Sequence, residues 1–300
     1  MNDTKWLNCR LRAIQARLAA RGHAVSLPVI SRLLRAADYR LRGNHKQLAG
    51  PAHPDRDQQF GHIAAERARH LDDRQPVISV DTKKKELIGA FKNPGQAWGA
   101  TPELVNVHDF PGDAVGRAVP YGIYDALRNV GVVYVGQSAD TPEFAVDAIA
   151  AWCADELPVA YPGATQLLIE ADGGGSNSAR SRVWKAHLQA QVADRFGLTV
   201  TVCHYPPGTS KWNPIEHRLF SAISKTWAGC PLRTFERLLE YLRATQTTTG
   251  LQVQAALLPQ IYRTGVQIAD AVMAGLHIQA HEVCPAWNYT IHPRLLAPAI

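Results

Sequence analysis

Long apolar runs are missing from this chain. None reaches the roughly 18–20 residues that a helix needs to cross a bilayer. The N-terminus, MNDTKWLNCRLRAIQ, has no apolar signal core, so nothing in it directs the chain out of the cytoplasm. Cysteine is sparse and badly spaced for crosslinking. Cys9, Cys153, Cys203, Cys230 and Cys284 are odd in number and scattered, which excludes a disulfide framework and a CxxC zinc pattern. Internal repeats and low-complexity stretches are also lacking, which excludes repeat architectures. The one glycine run, Gly173-Gly174-Gly175, matches neither GxGxxG nor a P-loop ending in GK[ST], so a nucleotide-phosphate cradle is excluded as well. Acids are nearly absent from the first 50 residues, where Asp3 and Asp38 stand alone among many Arg and Lys.

What is present is a chain of 300 residues, 46% hydrophobic, sufficient for one large core or two domains. Lys and Arg outnumber Asp and Glu by 32 to 26, compatible with a polyanionic partner without requiring one. The N-terminal segment RLRAIQARLAAR places Leu11, Ile14, Leu18 and Ala19 on one helical face and arginines on the other, and Gly22 ends it. Ser26 reads as the N-cap of LPVISRLLRAADY, with Pro28 in the first turn. Two short helices about a Gly-containing turn form a helix-turn-helix candidate, with Arg32 and Arg35 on the exposed face of the second helix. A plain helical hairpin packed on the rest of the protein is the alternative. Residues 40–57 carry Gly43, Gly50, Pro51 and Pro54 and read as a linker, followed by a helix bearing Phe60, Ile63, Ala64 and Leu71 on one side.

From Pro76 the pattern changes. Val77–Asp81 and Glu86–Phe91 read as two strands joined by a Lys-rich turn. A Pro- and Gly-rich stretch follows, then the strand GVVYVG (131–136), a helix capped by Thr141, and the apolar strand QLLIEAD (166–172). Next come a helix closed by Gly197, the strand LTVTVCHY, and a turn that opens a helix at Asn213-Pro214. This order predicts an α/β fold with one hairpin beside parallel strands and helices packed over the sheet. Residues 231–300 add a helix, an extended segment and a Trp- and Tyr-bearing tail.

Three acids stand at element ends. Asp81 ends the first strand, Asp172 ends Leu167-Leu168-Ile169 and precedes the glycines, and Glu216 lies in the first turn of a helix. Ligands of open α/β sheets gather at the carboxyl ends of strands, where both aspartates fall. Clustered carboxylates repel one another unless cations neutralise them. Mg²⁺, a hard cation that favours carboxylate oxygen, suits the task, and paired ions assist phosphodiester chemistry. Taken singly, Asp172 reads equally well as a turn-capping acid, and Glu216 as a first-turn acid favoured by the helix dipole. Glu170 and Asp109 are rival acids, and strand register alone does not exclude Glu170.

Three blocks, ISVDTKKKELIGAFKN, IEADGGGSNSARSRVWK and CHYPPGTSKWNPIEHRLFSAIS, resemble the acidic blocks of the Rhodopirellula-type DDE transposases of bacterial insertion sequences. The third is also similar to the corresponding segment of the mariner-like superfamily, through Pro206-Pro207 and Asn213-Pro214-Ile215-Glu216. The resemblance runs from about residue 20 to about 292 and includes PYGIYD and WNYTI. It implies a ribonuclease H-like catalytic domain, a mixed sheet flanked by helices, preceded by a small helix-turn-helix segment. Asp81, Asp172 and Glu216 would be its triad, 91 and 44 residues apart. Asp81 would bridge two Mg²⁺ ions (or Mn²⁺), with Asp172 and Glu216 each holding one.

The implied organisation is a DNA-binding segment at 1–42, shorter than in most relatives, a linker and helix at 43–75, a catalytic domain at 76–230 and a C-terminal extension at 231–300. The implied activity is metal-dependent cleavage at element ends followed by strand transfer into target DNA, by a cytoplasmic, nucleoid-associated homodimer on DNA with no membrane partner. A non-catalytic remnant or repressor, and a structure-specific nuclease of the same fold, are the alternatives. Secondary DNA contacts fall on Lys83, Lys84, Asn177, Lys211 and Trp212. Each has a plainer reading: a solvated turn for the lysines, a turn-stabilising amide for Asn177, a core aromatic for Trp212.

Overall fold

The computed structural model describes residues 9–41 and 53–294, so much of the expected linker, at 42–52, lies outside the described residues. The chain forms two compact units, 1–49 and 50–300. The first holds helices α1 (Leu11–Ala19) and α2 (Leu27–Ala36). They meet at the turn around Gly22, whose φ of +83° only glycine adopts without strain. The Ser26 hydroxyl makes no capping bond, contrary to the sequence reading, and Pro28 occupies the first turn of α2 as expected. Ile30 is buried, whereas Leu33 is 56% exposed.

The second unit starts with α3 (Arg56–Asp72) and is built on a nine-stranded sheet. Its strands are β1 (Val77–Thr82), β2 (Glu86–Ile88), β3 (Gly116–Asp125), β4 (Val130–Gly136), β5 (Gln166–Asp172), β6 (Thr199–Tyr205), β7 (Gln252–Leu258), β8 (Ile278–Ala280) and β9 (Asn288–Ile291). The helices after α3 are α4 (Pro142–Ala160), α5 (Arg182–His187), α6 (Ser221–Thr226), α7 (Phe235–Arg243) and α8 (Asp270–Ala274). Strand order is β7-β4-β3-β1-β5-β6-β9-β8, with β2 paired to β3. Within the central five, β3 runs antiparallel to both of its neighbours, β4 and β1, and β1, β5 and β6 run parallel. That mixed sheet is the ribonuclease H-like arrangement.

The expected hairpin is misplaced by one strand. Strands β1 and β2 do not pair with each other; both pair with β3, and the true hairpin is β3–β4. In sequence β3 is obscured because Gly116, Pro120 and Gly122 punctuate it, although Val119, Tyr121 and Ile123 alternate toward the core. The segment 231–300 supplies three strands: β7 extends one edge beside β4, while β9 and β8 extend the other beside β6.

Both faces of the sheet are covered. Ile78, Val80, Ile169, Ala171 and Val202 pack against α4 and the helix that α5 begins, around Phe144, Ile149, Trp152 and Trp184. On the opposite face Tyr124, Val133 and Val135 meet Ile215, Leu219 and Phe220, while Val77, Leu168 and Cys203 meet Ile63 of α3. Thr141 caps α4 through its hydroxyl, 3.3 Å from the Phe144 amide. No helix among the described residues is long and apolar enough to cross a membrane.

Candidate active site

The parallel register of β1 and β5 pairs Val80 with Ala171, and its next step sets Asp81 beside Asp172 at the carboxyl ends of both strands. On its other side Asp81 pairs with Gly122 of β3. That glycine has a purpose. A Cβ there would stand 2.5 Å from the Phe220 ring and 2.9 Å from Ile215 Cδ1, so its absence lets the Glu216 segment lie on the sheet. The chain leaves β6 through Pro206-Pro207, makes a 3₁₀ turn at Ser210–Trp212, and enters a π-helical turn at Glu216–Phe220. Glu216 thereby comes near enough for its charge to act on Asp81.

Electrostatics record this crowding. Burial, then the Asp172 charge, then Glu216, push Asp81 up to about 8, against a single bond from the Thr82 amide at 2.7 Å. Asp172 is also raised, by burial first, partly offset by the Asn213 amide at 3.3 Å. Among the described residues, no cation ion-pairs with Asp81, Asp172 or Glu216. Three half-buried carboxylates left without a cationic partner are a donor set that fits hard divalent ions.

Asn213 does more than the helix cap read from sequence. Its amide donates to the Val80 carbonyl and to Asp172, both at 3.3 Å, and its carbonyl accepts from the Ser79 hydroxyl. Ser79 in turn accepts from the Ile215 amide at 3.2 Å. One buried side chain thus ties β1, β5 and the Glu216 segment together. Asn213→Ala should leave these groups unsatisfied, costing about 1–3 kcal/mol. It should also weaken divalent-cation binding at the three acids roughly 10–100-fold, the usual penalty for losing a ligand-orienting partner. Urea unfolding and Mn²⁺ titration check the two halves.

The rival acid Glu170 is taken. It is buried, paired through both oxygens with Arg67 of α3, and accepts from the Tyr205 hydroxyl at 3.0 Å. Asp109 lies on the loop before β3 and lines a separate cleft near Lys92. Asp140, which sequence reading passed over, lines the cleft beside Asp81 and Asp172, accepting from Thr82 Oγ1 at 3.1 Å. Its position, four residues after β4 and next to the α4 cap, carries no motif that would have singled it out.

The basic and aromatic candidates separate. Lys83 is buried, with its ammonium 4.7 Å from the Trp227 ring and 3.4 Å from Glu86. Lys84 and Lys85 are exposed on the cleft wall, as is Arg180. Asn177 is buried behind the cleft, accepting from the Tyr121 hydroxyl at 2.8 Å while its own carbonyl meets His204. Trp212 is 52% exposed, which removes the core-aromatic reading; Lys211 and Arg56 lie within 6.0 Å of its ring and Phe60 packs edge-on. Arg32 and Arg35 are exposed on α2 in the N-terminal unit.

Among curated proteins nothing matches this chain. Among solved structures, the Mos1 transposase paired-end complex with left transposon end is similar at 10% identity, covering 80% of this chain and 73% of that one with a TM-score of 0.46. The Mos1 mariner paired-end complex with Mn is similar at 11% identity, covering 81% and 73% with a TM-score of 0.45. The family described as the Rhodopirellula transposase DDE domain matches residues 1–293. With nearly its whole length matched, this chain belongs to the Rhodopirellula transposase DDE domain family.

Proposed function

We propose that this chain is the transposase of a bacterial insertion sequence, cutting DNA at the element's ends and joining the freed 3′ ends to target DNA. The observation that carries the reading is Asp81 and Asp172 lining one cleft, with the Glu216 charge acting on both and no cationic partner for the three among the described residues. These three acids would hold the divalent ions, two Mg²⁺ or Mn²⁺. When bound, such ions activate an attacking oxygen and stabilise the leaving one. The protein's own part is positional. Asn213 and the Thr82 amide fix the carboxylates, Gly122 admits the Glu216 segment, and Lys84 and Arg180 offer cations to phosphates along the cleft.

The exposed Trp212, with Lys211 and Arg56 beside it, suits a base that has left its stack. Trp212→Ala should weaken binding to a duplex with a frayed or flapped end by about 1–3 kcal/mol and leave binding to intact duplex unchanged. Fluorescence anisotropy with the two substrates measures the difference. Arg32 and Arg35 would contact DNA from α2, and two chains acting on paired ends would form a dimer on DNA. The testing experiment incubates the protein with Mg²⁺ and a labelled duplex from the flanking terminal repeats, with and without excess unrelated DNA. Cleavage that resists the competitor supports a transposase; cleavage abolished by it points to a structure-specific nuclease. Binding without cleavage would leave a DNA-binding remnant.

A further inference from the structure

We propose a second metal site, for a single Zn²⁺-like ion, on the face of the catalytic unit where α3 meets the β8–β9 hairpin. His62 and Glu66 stand one turn apart on α3, so both side chains point the same way. His281, the residue after β8, comes to meet them across 219 residues of sequence. One ligand atom from each, all half-buried, lies within 4.8 Å of the other two, the single set of three with that property among the described residues.

The details favour a metal over a chance cluster. His62 Nε2 and His281 Nδ1 stand 2.9 Å apart, hydrogen-bonded to each other where an ion would bring them together. Tetrahedral Zn²⁺ with bonds of about 2.0–2.1 Å places two ligand nitrogens about 3.3 Å apart, so the ion enters if the rings part by a few tenths of an ångström. His281 Nε2 lies 2.8 Å from Thr290 Oγ1, and the tautomer that donates to this hydroxyl presents the Nδ1 lone pair to His62 or to an ion in its place. The Glu66 carboxylate is held by Arg69 at 2.8 Å. His281 and Glu66 therefore each have an outer partner that orients them, as metal ligands do. Two imidazoles and a carboxylate select a borderline ion such as Zn²⁺ or Co²⁺, whereas the all-oxygen acid cluster selects Mg²⁺ or Mn²⁺. The fourth position opens to the cleft that Glu282 and His292 also line. The ion would clip the C-terminal hairpin, whose β9 completes the sheet beside β6, to α3.

The test uses the full chain stripped with chelator and titrated with Co²⁺, then Zn²⁺. Expected are visible d–d bands of tetrahedral intensity at one Co²⁺ per chain, displacement by Zn²⁺, and a melting temperature raised by several degrees. Asp81→Asn should keep this behaviour; Glu66→Gln should bind at least tenfold more weakly, and His281→Gln should abolish the bands. No Co²⁺ uptake by wild type, or equal uptake by His281→Gln, would overturn the proposal. If His281→Gln fails to fold, the absence or presence of tetrahedral bands in the folded wild type, with Glu66→Gln as the second variant, still decides.

Discussion

An Asp172→Asn variant should bind a terminal-repeat duplex within about twofold of wild type and cleave it about 10³-fold more slowly in Mg²⁺. The substitution keeps the shape and the contact with Asn213 Nδ2, because the amide retains an acceptor oxygen. It removes one charge from a set of three. Charge stabilisation at such centres amounts to several kcal/mol, and each 1.36 kcal/mol is tenfold in rate, which gives the thousandfold figure. Glu216→Gln should behave alike, since Glu216 reaches the same centre from the π-helical turn. Electrophoretic mobility shift and single-turnover cleavage separate binding from chemistry. Undiminished cleavage by both variants would remove the acids from the reaction.

The second large effect concerns stability. Arg67→Ala should cost about 3–5 kcal/mol, because it strands the carboxylate of Glu170, 1% exposed, beneath the strand that ends in Asp172. Tyr205 alone would remain to bond it, at 3.0 Å. Replacing Arg67 and Glu170 together by Met should recover most of the loss, since a buried ion pair is worth little against well-packed apolar groups. Thermal and urea unfolding of the three variants measure this. A loss below about 1 kcal/mol in Arg67→Ala would mean that water reaches Glu170 in solution.

Much of the candidate site's geometry was legible because its signals are local. Asp81 and Asp172 end apolar runs of strand length, and strand ends are where an α/β sheet presents its ligands. Asp172 and Glu170 could not be told apart by alternation, since both belong to one face; Arg67, 103 residues away in sequence, is what withdraws Glu170. Asn213 was visible only as a helix cap, because its partners Ser79, Val80 and Asp172 are all remote in sequence. Strand β3 was hidden by Pro120 and two glycines, although Gly122 is required by the close approach of Phe220. Trp212 was misjudged for a related reason: a lone aromatic beside a Pro-containing turn does not reveal its depth, and here it remains exposed on the surface. His62, Glu66 and His281 could not be joined by spacing, since 219 residues separate the two histidines.

The raised Asp81 sets a pH dependence. Its folded value near 8 lies above the ordinary 3.8, so the metal-free protein loses stability as pH rises across that window. Asp81→Asn should therefore melt above wild type at pH 8.5 without metal, by roughly 1–3 kcal/mol, and the gap should close near pH 4.

Direct Mn²⁺ titration, followed by electron paramagnetic resonance at pH 8.5 in a His62→Ala/His281→Ala background, tests the central claim most directly. Wild-type acids should take up Mn²⁺, more weakly as pH falls below about 8 because a proton competes at Asp81. Adding Asp81→Asn to that background should reduce affinity at least about tenfold. Equal Mn²⁺ uptake with and without the Asp81 carboxylate would contradict the account.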